Sequence, residues 1–347
     1  MITSEQPAVP AGLRAIATAV DAYKRVFVAG FASDLLSRPN AVRRSGFELT
    51  VTIEAITPEA EDVVSVVMRG CGDEPLPAWR PGAHLDVVLP SGRQRQYSLC
   101  GDPRDRSRYR IAVRQITDGS ASTEVHQSLR AGDRLRIRGP RNAFDLVHAP
   151  AYLFIAAGIG ITPILPMTKA AGAAGRLIYL GRSRASMPFL HELPTDAEVH
   201  CDDEHGVTDI AQLIATAPPG AAVYVCGPPP MVAAAGRCMW QINPTGSLHT
   251  ERFSAAPVRD GREFTVRLAR SGASVRVGAR ETALTAIRRR LPDVSYSCQQ
   301  GFCGACKVAV LAGAVDHRDR LLNAQDRDDH MLVCVSRAAD AEIVLDL

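Results

Sequence analysis

Four cysteines constrain this chain more than any other feature. Cys298, Cys303 and Cys306 follow one another as Cys-x4-Cys-x2-Cys, and Cys334 stands further on in the run Met331-Leu332-Val333-Cys334. This is the spacing by which four thiolates hold a plant-type 2Fe-2S cluster. The residues between them suit such a cluster, because Gly301, Gly304 and Ala305 keep the loop free of bulk and let backbone N–H groups approach the negatively charged sulfurs. Structural zinc is the competing reading, although zinc sites usually pair two short clips and only one Cys-x2-Cys clip is present.

The chain has 347 residues, enough for two or three domains with separate cores, and 46% apolar with 22% charged residues is ordinary globular composition. A net charge of +3 and 5% aromatic residues, with no basic stripe interleaved with aromatics, exclude a nucleic-acid reader and give no reason to expect membrane-surface binding. Nine cysteines, four of them in a metal-ligand spacing, point to a reducing compartment. The opening residues lack the basic and apolar regions of a secretory signal, so the expectation is a cytoplasmic protein.

Five segments are expected. Residues 1–46 read as a helical extension, because Leu13, Ile16, Val20, Tyr23 and Phe27 recur at helical spacing. Residues 47–149 carry six short β-rich runs separated by turns, which predicts an antiparallel barrel with one helix over Thr123–Leu129. Residues 150–253 alternate strands and helices and predict a parallel sheet. Residues 254–261 form a linker, and residues 262–347 a small mixed fold around the cysteine loop. The fold class is therefore multi-domain: a β-barrel, an α/β domain and an α+β domain.

Two further regions carry candidate chemistry. In the barrel, Arg95, Tyr97 and Ser98 are the residue types a flavin needs for charge, stacking and a hydrogen bond, but strand alternation puts Ser98 on the opposite face from the other two. Gly119, Ser122 and Thr123 precede or open a short helix and suit either a phosphate or a plain cap. In the α/β domain, Gly158 and Gly160 occupy a strand-to-helix turn of dinucleotide-binding type, with Thr162 expected as the helix cap and Pro163 in the first turn. The third glycine of the usual fingerprint is missing. Cys226-Gly227-Pro228 closes a later strand without bulk.

In their order, Arg95-Gln96-Tyr97-Ser98-Leu99, Gly158-Ile159-Gly160-Ile161-Thr162-Pro163, Cys226-Gly227-Pro228 and the cysteine pattern resemble the phthalate dioxygenase reductase and vanillate O-demethylase reductase family, over about residues 47–347. The resemblance implies a flavin barrel, a nicotinamide domain and a β-grasp ferredoxin domain. It implies FMN, with FAD as the alternative, held by Arg95, Tyr97, Ser98, Val113, Arg114, Gly119, Ser122 and Thr123. It implies NADH along Gly158, Gly160, Thr162 and Gly227, with Ser98 and Cys226 as catalytic residues near the flavin N5 and the nicotinamide, and Phe253 covering the flavin. Arg182 and Arg184 leave NADPH open, while Asp202 and Asp203 favour a ribose diol.

A hydride carries two electrons, a 2Fe-2S cluster accepts one, and a flavin mediates between them. The expected activity is an NADH-dependent reductase component that passes electrons from NADH to FMN to 2Fe-2S and on to a separate oxygenase. No Rieske-type or 2-His-1-carboxylate ligand set is visible in the chain itself. The alternatives are a reductase for a cytochrome P450 or small acceptors and, in another class, a non-catalytic zinc-binding interaction protein. Between Arg262 and Leu347, 13 basic residues face 11 acidic ones, so docking by shape rather than by a single-sign field is expected.

Overall fold

The computed structural model describes residues 47–116, 120–253, 258–292, 294–296, 299–302 and 304–347. The expected N-terminal helix, Gly119, Cys298, Cys303 and half of the linker lie outside the described residues.

The first sheet is antiparallel and built from β1 (Phe47–Ala60), β2 (Val63–Gly70), β3 (Ala83–Val88), β4 (Gln94–Ser98), β5 (Arg108–Arg114) and β6 (Arg134–Asn142), with α1 (Ser120–Gln127) between β5 and β6. The strand order β4-β3-β6-β1-β2-β5 leaves β4 and β5 as its edges, and a single bridge from Leu99 to Ile111 joins them into a barrel. Alternating Val51, Ile53, Val66, Met68, Leu85, Val87 and Ile137 fill the interior. The edges therefore meet at one point only, and a seam opens between β4 and β5.

The second sheet is parallel, in the order β11-β10-β7-β8-β9, from β7 (Tyr152–Ala157), β8 (Gly175–Gly181), β9 (Glu198–Cys201), β10 (Ala222–Cys226) and β11 (Ser247–Glu251). Its central strands are continuous apolar runs because helices α2 (Ile161–Ala171), α3 (Ile210–Ala215) and α4 (Pro229–Ile242) flank a sheet buried on both faces. Asp209 caps α3 by accepting from the Ala211 N–H, and prolines open α4 where missing N–H groups cost nothing. One detail departs from the sequence reading. A 3-10 turn over Gly158–Gly160 precedes α2, so Gly160 is the cap and Thr162 sits inside the first turn, its hydroxyl donating to the Ile159 carbonyl.

The third sheet, β13-β12-β18-β14-β16, is mixed: β12 (Phe264–Leu268) pairs antiparallel with β13 (Ser274–Val277) and parallel with β18 (Glu342–Leu345), which pairs antiparallel with β14 (Lys307–Ala312). Helix α5 (Ala283–Arg288), capped by Thr282, packs Leu284 and Ile287 onto this sheet in the β-grasp arrangement. A two-stranded ribbon of β15 (Val315–Asp316) and β17 (Arg337–Ala338) lies apart from it, and β16 is His330–Leu332.

Candidate redox sites

The barrel seam is a cavity of about 320 Å³. From β4 it is lined by Arg95, Tyr97 and Ser98, from β5 by Val113 and Arg114, and from α1 by Ser122. The three β4 residues all reach it although alternation puts Ser98 on the opposite face of the strand from Arg95 and Tyr97. The cavity runs along the open edge of the barrel instead of across one face of the sheet, so an edge strand presents residues of both faces to it. Thr162 and Phe253 reach it from the nucleotide domain, and Thr123 is not among its lining residues. Burial pushes the Tyr97 phenol up to about 12, which keeps it a neutral donor. Tyr97, Phe253 and the buried Ser98 (6% exposed) all border the cavity, residue types that fit a flat ring with hydrogen-bonding edges.

Arg114, Ile116, Ile159 and Phe253 also border a larger cavity of about 770 Å³, so the two share a wall. It is formed at the carboxyl ends of the parallel strands, the general position for ligands in such sheets, by Gly158, Gly160, Gly181, Arg182, Asp202 and Gly227. Its glycines are needed there. Gly158 has a φ of 53°, and a Cβ on Gly160 would lie 2.2 Å from the Cys226 carbonyl oxygen. The Tyr179 hydroxyl, 3.0 Å from the Gly158 carbonyl, pins the turn. Arg182 and Asp202 both line this cavity, whereas Arg184 pairs with Glu204. Cys226 lies beneath the cavity rather than in its lining: it is fully buried, and desolvation raises its thiol well above the usual range.

Two further polar groups here have no expected binding or catalytic role from the sequence, in which His84 reads as structural or solvated. Glu251 ends β11 beside Cys226, and its Oε2 is inaccessible and without a hydrogen-bond partner; burial pushes the carboxyl up to about 8. His84 on β3, paired across the ladder with Ser98, is 4% exposed with an unpartnered Nε2, and burial lowers it to about 4. Their signal was weak: one acid inside His249-Thr250-Glu251-Arg252-Phe253, and one histidine in an alternating strand.

At the cysteine loop, Cys306 and Cys334 are buried at the head of the β-grasp sheet. Gly301 and Gly304 have φ of 79° and 75°, and a Cβ on them would strike Val335 and Leu321 at 2.6 and 2.8 Å. The tight, side-chain-free turn and the two buried thiols fit a cluster. The loop faces the barrel: a cavity of about 90 Å³ is bordered by Ser98 and Arg95 on one side and by Tyr296, Gln300 and Phe302 on the other.

Comparisons with known proteins agree with these parts. Residues 73–146 match the model of the oxidoreductase FAD-binding domain, and residues 266–339 that of the 2Fe-2S iron-sulfur cluster binding domain. Phthalate dioxygenase reductase of Burkholderia cepacia is 37% identical over 303 residues, covering 83% of this chain and 94% of that protein. A crystal structure of phthalate dioxygenase reductase, described as modular for electron transfer from pyridine nucleotides to [2Fe-2S], superposes with a TM-score of 0.65 at 36% identity, over 86% of this chain and 98% of that one. An intact type IV self-sufficient cytochrome P450 monooxygenase gives 0.68 at 38% identity over 86% of this chain, which spans 41% of that longer one. With a flavin-type barrel, a nucleotide-type sheet and a ferredoxin-type domain in one chain, this protein belongs to the phthalate dioxygenase reductase family.

Proposed function

We propose that this protein is the NADH-dependent reductase component of a two-component oxygenase or demethylase, using FMN and a 2Fe-2S cluster and working in the cytoplasm with a separate terminal oxygenase. The observation that carries the reading is the row of cavities: nucleotide cavity and barrel seam share the wall Arg114–Ile116–Ile159–Phe253, and Ser98 borders both the seam and the space before the cysteine loop. The working parts are residues 47–149, 150–253 and 262–347, joined by the segment 254–261.

A bound flavin supplies the chemistry of accepting an electron pair from a nicotinamide and releasing electrons singly. The chain's own residues position the reactants. Arg95 and Ser122 would supply charge and a hydroxyl for the phosphate of a bound flavin. With a flavin bound in the seam, the Ser98 hydroxyl would supply it a hydrogen bond, and Tyr97 and Phe253 would help exclude water from it. Gly158 and Gly160 allow the nucleotide to approach backbone N–H groups at the head of α2, with Thr162 behind them. Gly227 keeps the opposite wall open, and Cys226 closes its floor. Arg182 beside Asp202 leaves a site in which a ribose diol can accept and donate, and this supports NADH over NADPH. Cys298, Cys303, Cys306 and Cys334 would hold the cluster.

The test is the visible spectrum of anaerobically purified protein with NADH and, separately, NADPH. Flavin and iron-sulfur absorbance that bleaches promptly with NADH is expected. A colourless protein that contains zinc would sink the reading. The self-sufficient P450 match supports a second reading, in which the acceptor is a separate P450; comparing a Rieske-type oxygenase with a P450 as acceptor decides between them.

A further inference from the structure

A further cavity of about 600 Å³, distinct from the barrel seam and the nucleotide cavity, opens where the three sheets' domains meet. This volume is within the roughly 300–1,000 Å³ of ligand sites. Its lining includes His84 and Arg141 of the barrel, Arg252 just past β11, Arg259, and Arg318 and Arg320 of the ferredoxin domain. No Asp or Glu is among its described lining residues. Two of the five guanidiniums are neutralised, Arg141 by Asp86 and Arg318 by Asp316 at 2.6 Å. Arg252, Arg259 and Arg320 form no ion pair with any described carboxylate, and Arg259 and Arg320 are exposed.

The 13 basic and 11 acidic residues of the C-terminal part had suggested no steering field. Folding concentrates the positive charge locally, because Arg252 and Arg259 come from outside the ferredoxin domain. Clefts lined by one sign of charge focus the potential and raise the local concentration of the opposite charge. At the margin stands the buried His84, whose Nε2 has no partner, and leaving such a group unsatisfied is costly. Cys334, one of the four cluster thiols, lines the same cavity.

We propose that this arginine-lined cleft seats an acidic segment of the electron-accepting protein, bringing that protein against the Cys334 side of the cluster. The proposal rests on the reading that the acceptor is a separate protein. Charge complementarity names the occupant: three guanidiniums without an ion pair to a described carboxylate, in a cavity with no acid among its described lining residues, select carboxylates, and the exposed Arg259 and Arg320 make first contact. The competing role for these arginines is balancing the charge of the cluster itself. That role predicts a change in cluster potential when they are removed and no effect on an external acid.

The experiment uses the intact holoprotein with fluorescein-labelled hexaglutamate as probe, followed by anisotropy at low ionic strength, with hexalysine as control. Hexaglutamate should bind and hexalysine should not. The double substitution Arg259→Gln/Arg320→Gln should weaken hexaglutamate binding about tenfold, equivalent to about 1.4 kcal/mol. Arg259→Lys/Arg320→Lys should restore most of it. Unchanged binding in the Gln variant would overturn the proposal, as would a shifted cluster midpoint potential with peptide binding intact. Binding of inorganic pyrophosphate without hexaglutamate would also overturn it and mark a small-anion site. NADH-driven flavin bleaching, measured on the same samples, reads the relay separately, so failure of the cleft and failure of the proposed function are distinguishable.

Discussion

The barrel is joined to the nucleotide domain and to the ferredoxin domain in different ways. Toward the nucleotide domain it makes a bidentate ion pair, Arg110 to Glu192 at 2.5 and 3.0 Å, both about 80% buried. It adds a 2.7 Å hydrogen bond from Arg114 to the Ser186 carbonyl and a backbone bond from the Glu61 N–H to Ala185. Toward the ferredoxin domain there is no ion pair among the described residues. The Gln94 side chain donates to the Tyr296 carbonyl at 3.1 Å and the Tyr296 hydroxyl donates back to the Gln94 carbonyl at 3.2 Å, while Gln300 donates to the carbonyl of Arg252 in the nucleotide domain. Hydride transfer is sensitive to misplacement of about 1 Å, and a largely buried charged clamp suits that demand. Single-electron transfer tolerates a looser mounting, and neutral hydrogen bonds worth about 1 kcal/mol each provide that.

Removing the electron outlet should produce the largest effect. Cys306→Ala should lower electron delivery to a protein acceptor by at least about 100-fold, while stopped-flow reduction of the flavin by NADH persists. Loss of both in a folded variant would show that the two halves are not separable. Next comes Gly160→Ala, whose methyl meets the Cys226 backbone: thermal or urea unfolding should show a loss of about 3 kcal/mol, and NADH binding should fall with it.

Breaking the clamp with Arg110→Met should cost about 2 kcal/mol and slow flavin reduction more than cluster reduction. Its pH dependence has a definite sign. Burial opposes ionisation of Glu192, but hydrogen bonds from Arg110 and Lys169 outweigh it and hold the carboxyl at about 2. The clamp's contribution is therefore complete above the ordinary carboxylate range and is lost as pH falls through that range toward about 2. Urea titrations should show this acid limb in the native chain and a weaker one in the variant. Smallest is Tyr296→Phe, which removes one hydroxyl from the looser mounting: about 1 kcal/mol or less, with flavin reduction unchanged and flavin-to-cluster transfer altered a few-fold.

The same contrast explains what the sequence made legible. The barrel strands, the parallel sheet and the cysteine loop follow from local periodicity and glycine placement, and the strands Tyr152–Ala157 and Ala222–Cys226 have the bounds that their apolar runs suggest. Whether Ser98 meets Arg95 and Tyr97 was not legible, because alternation describes a sheet face and carries no information about a seam between two edges. The sequence points to Thr162 as the cap, but the 3-10 turn puts the cap at Gly160, which packs against the Cys226 backbone 66 positions away in the sequence. Glu251, His84 and the arginine cleft acquire meaning only when distant segments meet. Composition averages over the very charges that folding gathers.

The most direct test of the relay is anaerobic stopped-flow mixing of the holoprotein with one equivalent of NADH, followed separately at flavin and iron-sulfur wavelengths. Flavin reduction should come first and cluster reduction after it, with the second phase abolished and the first retained in Cys306→Ala. A cluster that stays oxidised in the native protein while the flavin remains fully reduced, or a chain that NADH does not bleach at all, would contradict the relay.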